Sequence, residues 1–279
     1  MAPASPLRRA NMNKAREAKK GLISGWILTA ALCAMLAGAS AATGQQPNAQ
    51  QNPQDAKEQA DLAHALDSKN LKNVQVLLQN GVATLSGTVT LYGYKEAAYQ
   101  KVHHKDKRLA VRNLIEVNGP SEMSDAQLQQ KLAQKISYDR VGYGTTMFNA
   151  VTVGVQNGVV TLGGNVYWAP DMDAAVADAE YFAGVKDVIN NIQVDPVSPF
   201  DDQSRMAVAR AIYSFPMLNQ YAIDPAKPIR ITVINGNVTL SGVVDSQADK
   251  DAAGIRANQV PNVFKVTNNL QVAGQQTGK

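Results

Sequence analysis

A ten-residue stretch that occurs three times constrains this chain more than any other feature. Asn80-Gly81-Val82-Ala83-Thr84-Leu85-Ser86-Gly87-Thr88-Val89 returns as Asn157-Gly158-Val159-Val160-Thr161-Leu162-Gly163-Gly164-Asn165-Val166 and as Asn235-Gly236-Asn237-Val238-Thr239-Leu240-Ser241-Gly242-Val243-Val244. The spacings are 77 and 78 residues, the length of one small domain, which implies three tandem copies of one fold. Asn-Gly between apolar-alternating runs signals a hairpin, because a type I′ turn needs positive φ at both central residues. With Asn80-Gly81 as the turn, Leu78 faces Ala83, Val76 faces Leu85 and Val74 faces Gly87. All six then share one face, and Thr84, Ser86 and Thr88 take the other. Val155, Val153 and Val151 close the second copy in the same way, and Val233, Ile231 and Ile229 the third.

The chain around each hairpin is as regular. From the hairpin Asn to the first Val of a final strand there are 31 residues in every copy (80 to 111, 157 to 188, 235 to 266). Within that span a helical segment carries an acid and two alanines: Glu96-Ala97-Ala98, Asp173-Ala174-Ala175 and Asp251-Ala252-Ala253. The small residues let this helix lie close to the sheet, and Gly87, Gly164 and Gly242 permit close approach from the inward face. A first helix precedes each hairpin. In copy one Ala56, Ala60, Ala63 and Leu66 form its apolar face, and in copy two Leu128, Leu132 and Ile136 do. The second helices are expected over 94–107, 172–183 and 247–259, and the final strands over 110–117, 187–194 and 265–272. The expected fold class is α+β: three tandem αββαβ domains, each a three-stranded mixed sheet with two helices on one face. The strand–helix–strand step predicts a right-handed crossover, with the last strand parallel to the second hairpin strand. The connections 138–149 and 215–228 are longer than their counterpart in copy one.

Before the first copy, Arg8, Arg9, Lys14, Arg16, Lys19 and Lys20 precede an apolar run from Leu22 to Leu36 and then Ala39-Ser40-Ala41. This is the pattern of a cleaved secretory signal over 1–41, with Met1 or Met12 as its start. An uncleaved membrane anchor is the alternative, against which the apolar run falls short of the ~20 residues a membrane span needs. Residues 42–54, rich in Gln, Asn, Pro and Ala, read as a tether. The domains are then 55–119, 122–196 and 200–274. The whole chain has 27 Lys+Arg and 23 Asp+Glu, but beyond the leader 21 stand against 22. Its basic balance belongs to the leader, and a general attraction to nucleic acid is excluded. Cys33, the only cysteine, lies inside the leader, so the remainder has no thiol chemistry.

The strand into Asn-Gly-x-Val-Thr-Leu-Ser-Gly-x-Val, the acidic-Ala-Ala helix and the final Val-x-Asn-x-(Ile/Leu)-x-Val resemble the BON domain, a family that includes OsmY-like periplasmic proteins. The resemblance spans 55–273 in three copies. Copy two has Gly184-Val185 before the final strand, as the family pattern asks. Copy three has Asn262-Val263 there, and copy one departs with Lys107-Arg108. The resemblance implies a periplasmic or envelope location, a non-enzymatic role, and association with phospholipid or envelope partners under osmotic or envelope stress. It implies no cofactor and no catalytic residues.

Chemistry-bearing candidates are few. His64 stands alone, and the neighbours His103 and His104 do not share a helix face, so no metal site is expected. Lys101, Lys105, Lys107 and Arg108, with Arg112 nearby, form a basic cluster that suits anionic headgroups at roughly 1 kcal/mol per charge. A solvated helix end is the alternative. Tyr92 and Tyr94 in copy one and Tyr167 and Trp168 in copy two follow the hairpins, where they suit a membrane interface or packing between copies. Phe215, Met217 and Leu218 in the long loop of copy three form a further contact candidate or a local core. The readings left open are a membrane-surface lipid-binding protein and a chaperone-like or scaffold protein that binds other envelope proteins.

Overall fold

The computed structural model describes residues 53–119, 123–139 and 143–274, all within one compact unit, 50–279. The expected leader and nearly all of the expected tether lie outside the described residues. The order helix, hairpin, helix, split strand occurs three times among them. First come α1 (Pro53–Leu66), β1 (Val74–Gln79), β2 (Val82–Val89), α2 (Tyr92–Lys105), β3 (Ala110–Asn113) and β4 (Glu116–Val117). Then follow α3 (Asp125–Asp139), β5 (Ala150–Gln156), β6 (Val159–Val166), α4 (Ala169–Glu180), β7 (Asp187–Asn190) and β8 (Gln193–Val194). Last are α5 (Pro199–Tyr213), β9 (Arg230–Ile234), β10 (Asn237–Ser241), β11 (Val243–Val244), α6 (Gln247–Asn258), β12 (Lys265–Asn268) and β13 (Gln271–Val272).

The hairpin registers are those the alternation requires. Val74 pairs with Gly87, Val76 with Leu85 and Leu78 with Ala83, with the matching pairs in β5–β6 and β9–β10. Asn80, Asn157 and Asn235 take φ of 49°, 54° and 52°, and the glycine after each is also positive, as the turn demands. The second hairpin strand is central in each sheet, and the final strand lies parallel to it, as the crossover rule predicts.

Three details differ from the expected picture. The final strand is split in every repeat, because its Asn turns back on the chain. Asn113 Oδ1 accepts from the Ile115 N–H at 3.2 Å, Asn190 Oδ1 from Ile192 at 3.0 Å, and Asn268 Oδ1 from Leu270 at 3.3 Å. Asn113 and Asn268 also donate to the Lys95 and Lys250 carbonyls, tying strand to helix. Helices α3 and α6 begin where expected, at Asp125 and Gln247, and α2 begins early at Tyr92; α1, α4 and α5 also begin earlier than expected. Pro53, Ala169 and Pro199 open them, proline suiting a first turn whose N–H groups have no helical acceptor. In α1 the buried face belongs to Leu62 and Leu66, while Ala56, Ala60 and Ala63 are exposed. The larger apolar side chains win the core because each removes more surface from water.

Each repeat has its own core beneath the sheet, around Leu78, Leu85 and Ala98 in the first and Leu132, Leu162 and Ala175 in the second. In the third, Ile231, Leu240 and Ala253 are joined by Phe148, which comes from the second repeat. Among the described residues no helix is long and apolar enough to cross a membrane.

Candidate functional site

The aromatic candidates converge on two seams between repeats. At the first seam, Tyr92 packs into the core of the second repeat. Burial and the nearby Asp187 push its hydroxyl well above the usual tyrosine range. Tyr94 meets Tyr181 edge-on at 5.7 Å. Gly93 adjoins Tyr94, and a Cβ there would fall 2.7 Å from the Tyr181 ring, so glycine lets that ring lie this close.

The second seam is more polar. Arg205 on α5 has a side chain only 2% exposed. It donates to Asp195 Oδ2 at 3.2 Å and to the Val233 carbonyl at 3.0 Å, and it pairs with Asp202. Its guanidinium lies 4.6 Å from the Tyr167 ring centroid. Burial pushes the Asp195 carboxyl up, against hydrogen bonds from Asn165 and Arg205 that pull it down. Arg230, the first residue of β9, reaches into the second repeat. It donates to the Thr146 carbonyl at 3.1 Å, the Asn149 carbonyl at 2.6 Å and Ser137 Oγ at 3.3 Å. Tyr138 donates across to Asp224 Oδ1 at 2.9 Å. Tyr138, Thr146 and Asn149 of the long connection thus hold the third repeat.

These seams revise the set of contact residues. Tyr92, Tyr94 and Tyr167 pack between repeats. Leu218 is fully buried, and Phe215 packs on the third core beneath Arg256, its ring 5.1 Å from that guanidinium. The long loop folds back because Tyr221 donates to Asp249 Oδ2 at 3.0 Å, at the start of α6. Trp168, stacked on Tyr167 at 5.0 Å, and Met217 remain about half exposed. In the basic group, Lys101 donates to the Ala65 carbonyl at 3.0 Å and Arg108 pairs with Asp106 at 2.6 Å. Lys105 and Lys107 are exposed. His103 stacks on Tyr99, and among the described residues no cluster of His, Cys, Asp or Glu could hold a metal.

Two features were not anticipated. Phe264, 73% exposed, stacks with Phe200 at 6.3 Å beside Met206 and Arg210. Phe264 stands where the second repeat has Lys186, since both N–H groups donate to the turn glycine's carbonyl. That difference between copies was visible in the chain. The other feature is a cavity of about 170 Å³ in the second repeat, lined by α3, α4, β5 and Arg230. Asp178 lines it and bonds Lys135 Nζ at 2.5 Å through Oδ1. Burial pushes this carboxyl up, while Lys135 pulls it down.

A BON domain is detected in two segments, residues 124–196 and 217–274. No curated protein matches the chain in sequence. Among solved structures, CdsD, a structural protein of the type III secretion system of Chlamydia trachomatis, aligns at 14% identity and a TM-score of 0.21. The alignment covers 76% of this chain and 90% of that one. The periplasmic domain of the secretion-system inner-membrane protein PrgH from S. typhimurium aligns at 8% identity and a TM-score of 0.18, over 76% and 99% of the two chains.

Proposed function

We propose that the chain is a non-enzymatic periplasmic protein, exported by a cleaved N-terminal signal, whose three BON-like repeats associate with phospholipid surfaces of the envelope in osmotic or envelope stress. The carrying observation is the BON domain detected over 124–196 and 217–274. The first repeat has the same element order and hairpin register, which supports extending the assignment to it. The seams take most of the aromatic candidates out of solvent. The surfaces that suit a membrane best are the Phe200–Phe264 pair, Trp168, Met217, and the Lys105 and Lys107 end of α2. Exposed aromatic rings settle at the headgroup level, and exposed lysines add attraction to anionic lipid. Several weak contacts on one body multiply into useful avidity.

Co-sedimentation of the chain from residue 42 with phospholipid vesicles tests this. Pelleting is expected to rise with anionic lipid content and fall with salt, and F200A/F264A is expected to reduce it. No pelleting at low salt overturns the lipid reading. Suppression of an unfolding envelope protein's aggregation, without pelleting, favours the chaperone or scaffold role instead.

A further inference from the structure

The second repeat reverses one helix–helix contact that its sisters share. In the first repeat Lys101 Nζ donates to the Ala65 carbonyl at 3.0 Å. In the third, Arg256 Nε donates to the Ala211 carbonyl at 3.1 Å. Asp178 holds the place of these cations, 77 residues after Lys101 and 78 before Arg256, the same spacings as the hairpins. Lys135 stands where Ala65 and Ala211 stand, each three residues beyond a fully buried aliphatic side chain, Leu62, Leu132 or Val208. The bridge therefore runs the other way, from Lys135 on the first helix to Asp178 on the second. Aspartate is shorter than lysine or arginine, and beside it lies the cavity of about 170 Å³.

We propose that this cavity binds a small organic cation, an alkylammonium or alkylguanidinium, whose head meets Asp178 Oδ2 in the place that Lys101 and Arg256 fill in the sister repeats. Asp178 is 8% exposed, and its Oδ2 has no hydrogen-bond partner among the described residues. A buried, unpaired carboxylate oxygen is costly unless something donates to it. Asp139 also lines the cavity beside Asp178, and Arg230 closes its far side. Arg230 is already held by the Thr146 and Asn149 carbonyls and Ser137 Oγ. Ile136, Val151 and Ala175 line the cavity as well and suit a short alkyl stem. The volume is below the roughly 300 Å³ at which drug-sized pockets begin, which limits the ligand to a few heavy atoms.

The test is calorimetric titration of the purified chain with n-butylammonium and with methylguanidinium, with tetrabutylammonium as the size control. Saturable binding of the small cations and a melting temperature that rises with their concentration are expected. D178N is expected to weaken binding by about tenfold or more, the loss of a charge-assisted hydrogen bond. K135A/D178K rebuilds the sister arrangement, so it is expected to stay folded and to bind neither cation. No saturable binding to the wild type, or equal binding by either variant, overturns the proposal. If D178N does not fold, the double variant alone decides.

Discussion

Gly164 has a φ of +89°, and a Cβ there would lie 1.9 Å from the Ala150 carbonyl oxygen. Gly87 meets the Asn73 carbonyl at the same distance. These glycines answer to the hairpin's own backbone rather than to the helix above it. Gly81 also has positive φ, but a Cβ there would touch nothing within 4 Å. G81A is therefore expected to cost about 1 kcal/mol of backbone strain. G164A adds a backbone clash and is expected to cost about 3 kcal/mol or more, read from urea unfolding of both variants. The turns are also clamped from the first helix. Asp125 Oδ2 and Oδ1 accept from the Asn157 and Gly158 N–H groups at 2.6 and 3.0 Å. Asp201 does the same for Asn235 and Gly236 at 2.9 and 2.7 Å. Asp201 is 2% exposed and its bond from Gly236 is buried, so D201A leaves that buried donor unmet and is expected to cost about 1–3 kcal/mol in the same measurement.

Elements were legible in the chain wherever the signal was local. The alternation at Val76, Leu78, Ala83 and Leu85 determined strand, turn and register together, because a slip of one residue would turn every side chain outward. Helix starts were less legible, since Leu91 and Trp168 precede α2 and α4 without a side-chain capping bond. The seams were not legible. Arg230 and its acceptor on Asn149 lie 81 residues apart, and no periodicity connects them. The roles of Tyr92, Tyr167 and Phe215 were open for the same reason, because a partner in another repeat leaves no local mark. Asp195 gives the second seam a pH signature. Burial raises its pKa above 3.8, so the folded chain holds this proton more tightly than the unfolded chain does. Its contribution to stability is greatest below pH 3.8 and is lost as pH rises through the raised value. D195N is expected to remove that part of the decline. Unfolding free energies for both proteins from about pH 3 to about pH 7 check it, and parallel curves would refute it.

At the scale of the whole molecule, the second and third repeats share side chains in a way that should make them unfold together. Phe148 sits in the third repeat's core, Tyr167 lies under Arg205, and Arg230 holds the carbonyls of 146 and 149. Separate domains would show separate transitions, whereas one shared core shows one. In the chain from residue 42, Trp168 is the single tryptophan, and it stacks on Tyr167 at the seam. Its fluorescence therefore reports the junction, while far-UV circular dichroism reports all helices and strands. For the wild type the two urea transitions of this region are expected to coincide. R205M leaves Asp195 buried without its cation, a loss of about 3–5 kcal/mol for a broken buried pair. R230A removes the donor to the Thr146 and Asn149 carbonyls and to Ser137 Oγ. In R205M/R230A the fluorescence transition is expected to precede the loss of dichroism, because the junction opens before the individual cores do. Coincident transitions at a merely lower midpoint would mean that the seam is held by its apolar contacts alone.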